Sequence, residues 1–235
     1  MRVVILQSNY LPWKGYFDLM RDADCFIYYD EVQYTKNDWR NRNRIACRHG
    51  IQWLTIPIRK DAVHLKISDV TLDDPRWQKK HLNAIQSCYG RAPFYSDLSP
   101  LLYEAYQRRS WKRLSELNRY LIRGIANGLG IETRFVDSAD LFPRGDRVGR
   151  LIDILKKIGA SEYLSGPAAK GYLSGSEYLF EESGIRLVYK DYSGYPTYPQ
   201  YGGNFEHCVS IIDLIAHVGF EAAPDFIWGR YRVRR

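Results

Sequence analysis

The sequence predicts an α/β protein built on an open, mostly parallel, Rossmann-like sheet. Two observations carry that expectation. Short runs of strand composition at residues 3–6, 25–29, 132–136, 162–164 and 185–189 alternate with amphipathic helical stretches. Polar loops crowded with amide, phenol, indole and guanidinium groups follow the strands, where open sheets of this kind bind ligands.

Taken in order, residues 3–6 (Val-Val-Ile-Leu) read as a buried strand that ends at the loop Gln7–Trp13. Pro12 fixes φ just ahead of a helix expected over 14–21. Residues 25–29 are the next strand. Residues 44–47 and 52–57 flank His49-Gly50 and read as a hairpin. A short strand is expected at 65–70. Asp73-Asp74-Pro75 marks a helix start. Helices are then expected over 76–89, 95–107 and 111–129, the last with Leu114, Leu117, Leu121, Ile122 and Ile125 at helical spacing and Gly130 as its stop. Residues 73–130 therefore read as a helical insertion or flanking region within a single α/β domain, 1–235. In the second half, helices are expected over 147–158, 174–182 and 207–218, and residues 191–204 form an irregular Tyr/Gly/Pro-rich segment.

Composition narrows the class. With 235 residues, 45% hydrophobic and 26% charged, a packed core is expected. No run of about 18 apolar residues is present, so no membrane span is expected. The chain starts directly on a strand, with no signal-peptide pattern, and a cytoplasmic protein is the expectation. Cys25, Cys47, Cys88 and Cys208 show no CxxC spacing, which argues against a zinc site and a disulfide framework. The five histidines are dispersed, so no metal is expected. Without a Walker loop or GxGxxG, no nucleotide cofactor is expected. The +7 charge suits an anionic partner, but its arginines are interleaved with asparagine or gathered in the tail (Arg230, Arg232, Arg234, Arg235, read as a plain disordered end). That pattern fits phosphate anchoring better than a DNA-binding stripe, and no DNA is expected.

Four constellations stand out. Gln7, Asn9, Tyr10, Trp13 and Lys14 bridge a strand end and a helix start, a natural anion site, or else a tight loop satisfying its own backbone. Asp30, Gln33, Tyr34, Asn37, Trp39, Arg40, Asn41 and Arg42 form a second loop. Its arginines suit a diphosphate and its rings a base or sugar; the alternative pairs Arg40 or Arg42 internally with Asp30 or Asp38. Lys80 and His81 lie on one helix, and Ser165 opens a turn that could expose N–H donors, where ligand positioning is favoured over nucleophilic attack. Asp191, Tyr195, Tyr198, Glu206 and His207 form the last group. His207, Asp191 or Glu206 could take a proton, and His207 is the first choice because its ordinary pKa of about 6.5 suits a general base.

Five blocks carry a resemblance. They are Gln-x-Asn-Tyr-Leu-Pro-Trp-x-Gly-Tyr-Phe at 7–17, Asp-Glu-Val-Gln-Tyr-Thr-Lys-Asn-Asp-Trp-Arg-Asn-Arg-Asn-Arg at 30–44, Trp-Leu-Thr-Ile-Pro-Ile at 53–58, Ser-Gly-Pro-Ala-Ala-Lys at 165–170, and Asp-Tyr-Ser-Gly-Tyr-Pro-x-Tyr-Pro-Gln at 191–200 followed by Phe-Glu-His-x-Val-Ser-Ile at 205–211. Together they resemble the WbqC-like family of bacterial O-antigen and other surface-polysaccharide clusters. Many members open the first block with Gln-Pro where this chain has Gln7-Ser8, so the loop is expected to be less rigid there. The resemblance implies a transferase that places an aminoacyl (glycyl-like) or other acyl group on an amino sugar. A nucleotide-linked acceptor is expected, with an acyl-carrier protein, an aminoacyl-tRNA or an acyl adenylate as donor. A non-catalytic sugar-nucleotide-binding module and an RNA-binding protein are the alternatives.

Overall fold

The computed structural model describes residues 1–228, so the arginines of the tail lie outside the described residues. Five parallel strands form the main sheet: β1 (Arg2–Leu6), β2 (Cys25–Tyr28), β5 (Arg134–Asp137), β6 (Glu162–Ser165) and β7 (Arg186–Tyr189), in the order β5-β2-β1-β6-β7. The antiparallel ribbon of β3 (Arg42–Cys47) and β4 (Gly50–Thr55) lies apart from it. The main sheet grows outward from β1 in both directions, so the strand order reverses between β1 and β6. Ligands of such folds bind off the carboxyl ends of the strands at that reversal.

Alternation along the strands explains why helices cover both faces. Val4, Phe26, Tyr28 and Leu164 enter one core, packed by α1 (Lys14–Arg21), α2 (Arg76–Tyr89), α3 (Tyr95–Tyr103), α4 (Leu114–Gly128) and α8 (Ile211–Ile227). Val3, Ile5, Ile27 and Tyr163 enter the other, covered by α5 (Arg147–Lys157), α6 (Lys170–Leu173) and α7 (Glu177–Glu182). Strands buried on both faces need near-continuous apolar runs, which β1 and β2 have.

The structure corrects several local expectations. Residues 65–70 form no strand: a 3-10 turn, Ile67–Asp69, puts Ile67 and Val70 into the core, 1% and 0% exposed. The final helix begins at Ile211 rather than 207, because the Ser210 hydroxyl caps it and Ser210 N–H is held by the Arg44 carbonyl. It also runs on to Ile227 past a break at Gly219, whose φ of 79° suits glycine. The helix expected over 95–107 ends at Tyr103 and continues as a π turn, Glu104–Arg108. The stretch 174–182 is helical only from Glu177, after the separate short α6. Cys47 and Cys88 are joined in a disulfide that ties the ribbon to α2, against the expectation from cysteine spacing. The partners lie 41 residues apart in sequence and are brought together only by the fold.

Candidate functional site

The first loop leaves the central strand β1 at the reversal point and is clamped from several sides. Ser8 N–H donates to the Asp30 carboxylate at 2.8 Å, and Tyr10 N–H donates to the Trp39 carbonyl at 2.9 Å. The Asn43 amide donates to the carbonyls of Tyr10 (3.2 Å) and Leu11 (2.7 Å). The Asn118 amide, from α4, donates to the carbonyls of Ser8 (3.3 Å) and Arg40 (2.8 Å). The clamp holds Leu11 at a φ of 44°, a conformation that non-glycine residues rarely adopt.

Arg40 reaches back across this loop. It donates to the Gln7 amide oxygen at 3.0 Å and to the Asn9 amide oxygen, and its nearest carboxylate is Asp38 at 3.7 Å. Its Nε has no partner, and burial lowers its affinity for its proton despite Asp38. Burial would raise the Asp38 carboxyl, but Arg40, the Thr35 hydroxyl and the Trp39 N–H hold it below its ordinary value. Of the internal pairings of Arg40 or Arg42 with Asp30 or Asp38, Arg40 with Asp38 is present, whereas Asp30 pairs with Arg119 instead.

The rest of the second loop divides between core and surface. Asp30 is fully buried and Tyr34 is 3% exposed, its phenol pushed up to about 12 by burial. The Asn41 amide donates to the Ile56 carbonyl at 2.7 Å, and the exposed Gln33 amide donates to the Val63 carbonyl at 2.7 Å. Asn37 has a φ of 61° and accepts from Arg42 through its carbonyl. Trp39 stands 41% exposed and stacks on Trp53, itself 45% exposed, with centroids 5.8 Å apart and planes 22° apart. The Arg42 guanidinium lies 4.4 Å over Trp53. These rings and cations form a flat cationic and aromatic face on the ribbon.

The 191–210 segment folds back onto the end of the first loop and onto the ribbon strand β3. Lys14, only 2% exposed, sits among Tyr195, Tyr198 and Phe205, its Nζ 4.8, 5.4 and 5.8 Å from their centroids, and donates to the Pro196 carbonyl at 3.3 Å. Burial lowers its pKa to about 8 against the pull of Asp213. Trp13 meets Tyr192 and Tyr195 edge-on at 5.0 and 6.1 Å. Tyr195 donates to Asp18 and Tyr198 to Asp213, each at 2.6 Å. Arg44 donates to the Cys208 carbonyl at 2.7 Å and faces Glu206 at 3.4 Å.

The proton-transfer candidates differ in how occupied they are. Asp191 is exposed, accepts from the backbone N–H and hydroxyl of Ser193, and is lowered by those bonds. Glu206 accepts from Cys208 N–H at 2.8 Å and faces Arg44. His207 is half-buried beside Phe205, its Nδ1 has no partner, and burial and then Lys14 lower its pKa, which keeps the imidazole neutral near pH 7. A neutral imidazole can accept a proton, although the unpartnered Nδ1 itself is closed to solvent.

The remaining sequence candidates lie elsewhere. Tyr10 is buried, and its hydroxyl bonds His81 Nδ1 at 2.8 Å and Tyr106. Burial lowers His81 to about 4. Lys80 is exposed on α2. Ser165 is 3% exposed and donates to the Tyr163 hydroxyl at 3.3 Å, without a base beside it. Trp53, Asp38 and Arg119 were not singled out as site residues. Trp53 carries a local signal in the hairpin strand and the 53–58 block, and Asp38 in the 30–44 block as an alternative partner of the arginines; Arg119 carries none. Among the described residues no group of His, Cys, Asp and Glu is arranged to hold a metal, and no helix is long and apolar enough to cross a membrane.

Comparison with known proteins follows the same blocks. The profile of the WbqC-like protein family matches residues 7–224. The chain is 43% identical over 227 residues to the uncharacterized protein Rv1507c of Mycobacterium tuberculosis (strain ATCC 25618 / H37Rv), covering 96% of this chain and 97% of that one. No solved structure matches the chain.

Proposed function

The chain belongs to the WbqC-like protein family, and from that premise we propose that it transfers an aminoacyl (glycyl-like) or other acyl group to the amine of a nucleotide-linked amino sugar. Arg40 and Arg42 take the phosphates, and Trp39 with Trp53 takes the base. The acceptor amine attacks the acyl carbonyl carbon, a C–N bond forms and the bond to the donor's leaving group breaks. The proton released from nitrogen passes to His207. The donor is a carrier thioester, an aminoacyl ester of tRNA or an acyl adenylate, and the setting is surface-polysaccharide or secondary-metabolite synthesis.

The observation that carries this reading is the fastening of the 191–210 segment, which bears His207, to the first loop and to β3. Lys14 reaches Pro196, Trp13 reaches Tyr192, and Arg44 reaches Cys208. These contacts support a shared site for a group that moves protons and groups that hold anions. The occupied carboxylates of Asp191 and Glu206 favour the histidine over either acid. They also favour, as a second reading, a module that binds a sugar nucleotide without transforming it.

The test compares wild type with His207→Ala. Amino-sugar nucleotides are expected to raise the melting temperature of both proteins by mass action. Turnover with a thioester or aminoacyl donor is expected to fall about 100-fold in the variant, the scale of general-base catalysis. Ligand-induced stabilisation without turnover in wild type would favour the binding module. No stabilisation by any sugar nucleotide would remove the acceptor from the reading.

A further inference from the structure

A cavity of about 360 Å³ opens beside the first loop, at the carboxyl ends of β2 and β5 and the start of α4. It is large enough for a small ligand, since such pockets begin near 300 Å³. It shares a wall with the first loop: Asp30 lines it and holds Ser8 N–H, and Asn118, one turn along α4, bonds the Ser8 and Arg40 carbonyls.

The charges of the lining are unequal. Asp30 and Asp137 share the single cation Arg119, and Asp69 faces Arg113 at 3.6 Å. Glu31 and Glu116 remain, against Lys66. Among the described residues, Glu31 accepts only the Ser138 hydroxyl, at 3.1 Å, and Glu116 only the Arg113 N–H, at 3.3 Å. The cavity is therefore locally acidic in a chain of net charge +7. Two donors are also uncommitted among the described residues. The Ser115 hydroxyl, on a residue 5% exposed, makes no side-chain hydrogen bond, and Lys66 pairs with no carboxylate.

Such a lining selects a ligand by exclusion. Among the described residues the lining has no aromatic ring for a base and only Ala139 as an apolar side chain, so neither a nucleobase nor an acyl chain would be desolvated favourably. Its excess carboxylate repels phosphate. A small polyol bearing an ammonium group matches it: the hydroxyls meet Ser115 and Lys66, and the ammonium meets Glu31 and Glu116. We propose that this cavity binds an unacylated amino sugar through its ammonium group. This rests on the proposed function for the amine's role, and because neither His207 nor the arginines of the second loop are among the lining residues, the cavity is a holding site that the amine leaves before transfer. It adds that acylation would remove the charge that holds the sugar, so the cavity would distinguish acceptor from product.

Calorimetric titration of the full chain with glucosamine, N-acetylglucosamine and glucose tests it. Glucosamine is expected to bind at least about tenfold more tightly than the other two, and Glu31→Gln or Glu116→Gln to weaken it by about tenfold, the ratio set by 1.4 kcal/mol. Both variants keep a hydrogen-bond acceptor, and their unfolding midpoints are expected to match wild type. No binding of glucosamine, equal binding of glucose, or indifference to both substitutions would overturn the proposal. The transfer reading fails separately: glucosamine binding lost in Glu31→Gln with wild-type turnover would remove only the cavity's role, whereas binding without any wild-type turnover would remove only the transfer.

Discussion

Two arginines stand at neighbouring corners of the same sheet edge and are held in opposite ways. Arg119 donates to Asp30 at 2.9 Å and to Asp137, and lies 5.0 Å over Tyr28. Burial would lower its pKa, but the two carboxylates raise it. Arg40 is positioned by the neutral amides of Gln7 and Asn9, and its one nearby carboxylate, Asp38, is already taken by Thr35 at 2.6 Å and Trp39 N–H at 2.7 Å. A fully paired arginine ties loops together. One oriented by amides keeps its positive charge for something else, at some cost while nothing is bound.

That contrast is most exposed at Arg119. Arg119→Ala leaves the Asp30 side chain, 0% exposed, without its cation, and a loss of about 3–5 kcal/mol is expected, read as the shift in urea midpoint. A loss below about 1 kcal/mol would put the pair in the class of weak surface bridges. Acidification probes the support beneath Arg40, where Tyr10 rests on His81. The unfolded chain binds this proton below about pH 6.5, whereas the folded protein, with His81 lowered to about 4, does not until then. The stability held by the neutral ring is therefore complete above pH 6.5 and is lost as pH falls toward 4, about 3 kcal/mol in all. Subtracting the urea curves of His81→Gln isolates this slope; identical slopes would place the loss elsewhere. Arg40→Ala removes bonds to neutral amides, so about 1–2 kcal/mol of stability is expected to go, with the whole of any sugar-nucleotide stabilisation. Retained ligand stabilisation would reverse the comparison. The smallest effect belongs to Trp39→Ala, under about 0.5 kcal/mol in stability for an exposed ring, with ligand affinity falling about fivefold as a stacking face is lost.

The features legible in the sequence are those a local pattern encodes. Val3-Val4-Ile5-Leu6 followed by Gln7 reads as a buried strand and its polar exit, and the spaced leucines of α4 read as a helix, because burial imposes these periods. Where apolar residues do other work, the pattern misleads: Leu65, Ile67 and Val70 resemble a strand, yet Ile67 and Val70 plug the core around a 3-10 turn while Leu65 stays exposed. His207 resembles a helix start because the true cap, Ser210, lies three positions on. For the candidate site, residues 7–14 and 30–42 stand out in the sequence by their chemistry. That Asp30 would face Arg119, or that residues near 31, 66, 115 and 137 would enclose one cavity, depends on contacts between distant segments that no local period records.

The bond between Cys47 and Cys88 also sets how force would travel through the molecule. Tension applied at the two ends would cross this link directly and bypass the intervening stretch, which includes β4 and most of α2. With the bridge intact, roughly 130 Å of contour would stay hidden from extension, at about 3.3 Å for each extended residue. Reduction would release that slack, making the protein a tether whose reach depends on the thiol state of its surroundings.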